Sequence, residues 1–164
     1  MNAQANPAFN AEMFLNISTN EANSTELLQV PEGDYTAVTG GIGPDSFKRF
    51  PIKQGDRAGQ DFYRLDVVWS IDDAGGALKD YLGREPKVTQ GIGLDISKDG
   101  TLEMGKGKNV ALGQLREALG QNQAGRPWSM SQLGGQVAKI RVKHRLDTAS
   151  GRTYVDVSSV TRAA

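Results

Sequence analysis

Between Phe62 and Ile71 the residues change character with a period of two, and that period decides the fold class before anything else does. Tyr63, Leu65, Val67, Trp69 and Ile71 fall on one side, and Phe62, Arg64, Asp66, Val68 and Ser70 on the other. Successive side chains of a strand point to opposite faces, so the segment predicts a long strand with its first set, Tyr63 and Trp69 included, in the core. Val88 to Ile96 repeats the pattern, with Val88, Gln90, Ile92, Leu94 and Ile96 on one side, and Thr101 to Met104 returns after the turn "SKDG". Further strands are predicted from Tyr35 to Ile42, from Val137 to His144 and, after "DTASG", from Tyr154 to Val160.

One helix interrupts this series. Leu112, Leu115 and Leu119 form a stripe at helical spacing behind Asn109, a good N-cap residue, and Gly120 with "NQAGRP" ends it. A shorter helical turn is expected over 77–82. With the return at Thr101 counted into the third strand, the order is three strands, helix, two strands. That order predicts a mainly β chain: a five-stranded OB-fold-like Greek-key barrel with one helix between strands 3 and 4. A jelly roll or another β-sandwich would want more strands and no central helix.

Residues 1–28 do not fit that domain. They are rich in Asn, Ala, Ser and Thr, with one short apolar patch from Met13 to Ile17, a composition that buries too little to offset the entropy of ordering. They predict an extended acidic arm, leaving 29–164 as a single domain. The formal net charge of zero conceals the division. Residues 1–47 hold six acids and no Lys or Arg, so the rest of the chain carries 19 bases against 13 acids, a net of +6. Such asymmetry points to an anionic partner, or to an arm that competes with one.

Several chemistries lack their residues. The chain has no cysteine and a single histidine, His144, which removes thiolate metal sites and histidine clusters. Asp72 with Asp73, or Glu103 with Glu117, are conceivable acid–base pairs, but nothing in the sequence places either in a pocket. "GTLEMGKG" has Gly100, Gly105 and Lys106 at P-loop spacing, yet its eighth residue is Gly107, where the motif needs a hydroxyl for magnesium. No enzyme and no cofactor are expected. No apolar run matches a membrane span and no signal peptide opens the chain, so a cytoplasmic location is expected.

Binding of a nucleic acid has the residues it needs. In "VAKIRVKHR", Lys139, Arg141 and Lys143 share the face opposite Ala138, Ile140 and Val142, at intervals of about 6.5–7 Å. An edge strand guarded by lysines would read the same way. Aromatic residues separate the two: single-strand binders stack bases on rings and meet phosphates with cations. "FKRFPIK" interleaves Phe47 and Phe50 with Lys48, Arg49 and Lys53 in the polar loop after the first strand, and Phe62 and Arg64 occupy the non-core face of the next. Lys106 and Lys108 sit among glycines at the start of the helix, suited to phosphate contact without nucleotide hydrolysis. His144, between Lys143 and Arg145, reads as a phosphate or base contact or as merely exposed. Trp128 reads as a cover for the end of the barrel.

"VPEGDYTAVTGGI", the Trp69 strand, "GKGKNVALGQLREALGQ" and "LGGQVAKIRVKHR…SGRTYVDVSSV" together resemble bacteriophage-encoded single-stranded-DNA-binding proteins of OB-fold type, over about residues 28 to 161. The resemblance implies a non-catalytic accessory of phage DNA replication or recombination, working in the cytoplasm of the infected host. Its partners would be single-stranded DNA and other phage replication or recombination proteins, with a homo-oligomer left open. Many such proteins recruit partners through an acidic C-terminal tail, whereas this sequence ends "SSVTRAA", so recruitment by a tail is not expected. The rival reading is a phage structural protein, a capsid decoration or tail component that assembles through its N-terminal arm.

Overall fold

The computed structural model describes residues 6–163. Its framework is one antiparallel sheet of six strands: β1 (Gly33–Thr39), β2 (Phe47–Pro51), β3 (Asp61–Ile71), β4 (Lys87–Leu94), β5 (Val137–Leu146) and β6 (Thr153–Arg162). Short helices stand at α1 (Ala11–Leu15), α2 (Ala77–Leu82) and α3 (Val110–Ala118).

β3 organises the sheet because it is long enough to serve several partners. Its first half pairs with β2, from Pro51 opposite Asp61 to Phe47 opposite Leu65. Its last residues pair with β1, Thr39 opposite Trp69 and Ala37 opposite Ile71. Along its other edge it carries the whole of β4, from Tyr63 opposite Leu94 to Ser70 opposite Lys87. β1 continues to β5, and β5 to β6. β4 and β6 end the series. They approach within 8 Å between Cα atoms, but no ladder joins them among the described residues, and α3 packs on both.

The period-two reading of β3 holds in the core. Leu65, Val67 and Trp69 are fully buried and Ile71 nearly so, while Tyr63 at the strand's start is half-buried. Val88, Ile92 and Leu94 of β4, Ala138, Ile140 and Val142 of β5, and Leu112 and Leu115 of α3 join them. The Trp69 indole donates to the Gln90 side chain at 3.0 Å, so its one polar atom is satisfied inside. The Thr39 hydroxyl is also buried. It donates to the Leu133 carbonyl and accepts from the Gln136 amide, tying the 3₁₀ turn Met130–Leu133 to β1.

Three local expectations fail. "FKRFP" is a strand, β2, rather than a loop; all five residues are exposed, so it has no apolar face by which burial would betray it. Thr101 to Met104 does not form a returning strand, and only the bridge of Ile96 with Leu102 remains. Asn109 precedes α3 in the left-handed region at φ 49° and does not cap it with its side chain. That amide instead accepts from the Asp95 N–H at 2.8 Å and donates to the Asp95 and Glu103 carbonyls at 2.9 Å. Asn109 therefore fastens the Lys106–Lys108 loop to the end of β4.

Candidate nucleic-acid interface

The register places one set of candidate residues side by side on the outward face of the sheet. Phe50 of β2 stands opposite Phe62 of β3, and Lys48 opposite Arg64. The two rings lie 6.4 Å apart at 29° to each other, about 40% exposed each. The Arg64 guanidinium lies 4.8 Å from the centre of the Phe50 ring. Two aromatic rings and a guanidinium thus form one partly exposed cluster, whose ring faces and edges suit contact with planar groups.

The floor under this surface is glycine. Gly91 and Gly93 of β4 point outward beside Asp66 and Arg64 in register. A methyl group at Gly93 would stand 3.2 Å from the Phe62 ring, and one at Gly91 would stand 2.9 Å from the Arg64 Cδ. The two side chains lie across β4 because nothing rises from it. Glycine inside a strand often marks such a close approach, and the "GIG" of β4 was the sequence signal for it.

Phe47 does not belong to this surface. It pairs with Leu65, and Arg49 with Tyr63, so both lie on the opposite face of β2 from Phe50 and Lys48. The alternation of a strand separates residues that a loop would have allowed to cluster. Arg49 stands 3.7 Å from Asp61, and Lys53 is exposed beyond the end of β2.

Lys139, Arg141 and Lys143 do share the outward face of β5, opposite the buried Ala138, Ile140 and Val142. They are not equivalent. Arg141 is held by Asp34 of β1 through two bonds, 2.8 and 3.2 Å, and this guanidinium keeps the Asp34 carboxyl below the usual carboxylate range. Lys139 and Lys143 make no ion pair within 4 Å among the described residues. Between these lysines and the Phe50–Phe62 pair, Val38, Val68 and Val137 lie outward and exposed, with Val38 opposite Val137 in register. Along β3 the Arg64–Asp66 pair separates Val68 from the rings, and Val68 already falls on the non-core side of the sequence pattern.

Arg64 is also partnered: Asp66 accepts from its Nε at 2.6 Å and from its Nη2 at 3.1 Å, on the same face of β3. Lys48 donates to the Asp45 carbonyl at 2.7 Å. In the α3 loop, Lys108 pairs with Glu103 at 3.0 Å, which holds its ammonium above the ordinary lysine range, whereas Lys106 is exposed with no ion pair among the described residues. His144 is exposed, but its ring is engaged: Nε2 lies 2.7 Å from the Val30 carbonyl, which can only accept, so Nε2 bears the proton. It is an anchor for the start of the domain. Glu32 completes that anchor by accepting from the His144 backbone N–H at 2.8 Å, the main reason its carboxyl is held below the usual range.

Of the Asp72–Asp73 pair, Asp73 has structural work. Both oxygens of Asp73 accept from backbone N–H groups at the start of α2, at 3.0 and 2.9 Å. Trp128 is half-buried against the core with the Arg116 guanidinium 4.0 Å over its ring, and its indole N–H donates to Gln121. Among the described residues no group of three or more His, Asp or Glu side chains is placed to hold a metal, and no helix is long and apolar enough to cross a membrane. No protein-family model matches the chain, and no curated protein matches it.

Proposed function

We propose that this chain binds single-stranded DNA without chemical change, stacking bases on Phe50 and Phe62 and meeting phosphates with cations on either side. The observation that carries the reading is the exposed ring pair, with Arg64 over it and a glycine floor under it. Exposed rings suit the stacking of unpaired bases, and Lys48 stands beside them in the strand pairing. Lys48, Lys53, Lys139 and Lys143 supply the charge, with Lys106 as a more distant contributor. Strand pairing supports an OB-type barrel. β1, β3, β4, β5 and β6 follow its order with α3 between β4 and β5, and β2 is then an elaboration of the first connection. The resemblance to phage proteins supports a role in phage replication or recombination.

The rings provide the test. Phe50→Ala and Phe62→Ala should each lower stability by less than the roughly 3–5 kcal/mol of a core Phe→Ala change, because each ring is about 40% exposed. Each should weaken oligonucleotide binding by about 1–3 kcal/mol per base stacked. Both quantities come from one set of purified variants, by thermal melting and fluorescence anisotropy. Loss of fold with normal binding by the remaining protein would place the rings in the core and the site elsewhere.

A further inference from the structure

Arg64 belongs to the ring cluster, yet it is tied to a carboxylate. Asp66, two residues along β3 and on the same face of the sheet, accepts from Nε at 2.6 Å and from Nη2 at 3.1 Å. Two bonds to one carboxylate fix the plane of a guanidinium as well as its position. The same group lies 4.8 Å from the centre of the Phe50 ring. Its stem passes over β4, where a methyl group at Gly91 would stand 2.9 Å from Cδ. Gly91 is also the residue opposite Asp66 in the pairing of β3 with β4. The carboxylate fixes Arg64, and the empty position at Gly91 gives it room.

This pair resists opening. The Asp66 side chain is only 16% exposed, and among the described residues it has no hydrogen-bond partner besides Arg64. Drawing the guanidinium away to a phosphate would leave a largely buried carboxylate without a partner, which is costly. The Arg141–Asp34 pair differs: its side chains are 54% and 47% exposed, so water can replace either partner. Beside the rings, the cation without an acid is Lys48. It stands opposite Arg64 in register and makes no ion pair within 4 Å among the described residues.

We propose that Arg64 contacts bases rather than phosphates, as one half of a neutral pair in which Asp66 is the positioning residue. This inference rests on the single-strand reading and divides the work within it. Lys48 and the lysines of β5 supply the salt-dependent part of the affinity. Arg64, its charge already matched, adds to the part that stacking supplies. A guanidinium in that role accepts any base, because every base has a π-face.

Oligonucleotide affinity measured by anisotropy over a range of salt separates the two roles, with thermal melting to verify the fold of each variant. Removing both charges together, by Arg64→Gln with Asp66→Asn, should lower affinity roughly tenfold and leave the slope of log affinity against log salt unchanged. Asp66→Asn alone releases the guanidinium to a phosphate, so the slope should steepen by about 0.7. Arg64→Lys keeps both charges and lacks only the planar group; it too should bind more weakly at every salt concentration. It also serves as the test if Asp66→Asn does not fold. A double variant whose slope flattens by about 0.7 would make Arg64 a phosphate contact and overturn the proposal. So would an unchanged slope in Asp66→Asn, or full affinity in Arg64→Lys. Absence of single-strand binding by the unsubstituted chain is a separate result, which removes the single-strand reading itself and this inference with it.

Discussion

Gly91 and Gly93 matter for what they lack. Without side chains there, Arg64 and Phe62 can lie flat over β4; with them, both would be pushed up or aside. Gly91→Ala should therefore leave the melting temperature nearly unchanged, since the obstructed group is the flexible end of Arg64. It should weaken single-strand affinity several-fold, read by anisotropy; unchanged affinity would show that the flat arrangement is unnecessary. Asp34 offers a second residue-scale prediction. Its carboxyl is held below its ordinary value chiefly by the hydrogen bonds from Arg141, with the nearby positive charge of Arg141, Lys139 and Lys143 adding to the effect. A carboxylate with a depressed folded pKa contributes stability above its unfolded pKa and loses it as pH falls through the folded one. The gap in melting temperature between the unsubstituted chain and Asp34→Asn should be full above about pH 5 and close in stronger acid. A gap that persists there would mean the pair is not its source.

Within β5, the cations divide by their partners. Arg141 is occupied by Asp34, whereas Lys139 and Lys143 are available for phosphate. Lys139→Ala with Lys143→Ala should flatten the salt dependence of single-strand binding by about 0.7 for each phosphate left without its cation. Arg141→Ala alone should change the slope little. Equal effects from all three would show that the ion pair opens on binding. β5 and β3 were legible in the sequence because each has one apolar face, and period two with one-sided burial leaves no alternative. β2 was not. In "FKRFP" both faces are exposed, and nothing local distinguishes that from a loop; only pairing with β3 makes it a strand. The site inherited this error. Phe50, Phe62 and Arg64 proved to be neighbours, but Phe47 and Arg49 turned to the opposite face once strand alternation applied to them.

At the scale of the molecule, charge and shape are partitioned. The acids of residues 1–47 include the arm's three glutamates, and the basic body presents an aromatic strip on one face of an open sheet. Net charge near zero means that binding depends on how this charge is distributed. The sign asymmetry was readable from composition. Whether rings and phosphate contacts together hold an unpaired strand is decided by titrating the unsubstituted chain with a labelled single-stranded oligonucleotide at increasing salt. Clear binding at low salt, a linear fall of log affinity with log salt, and residual affinity from stacking at high salt are expected. No binding at low salt would contradict the proposed function.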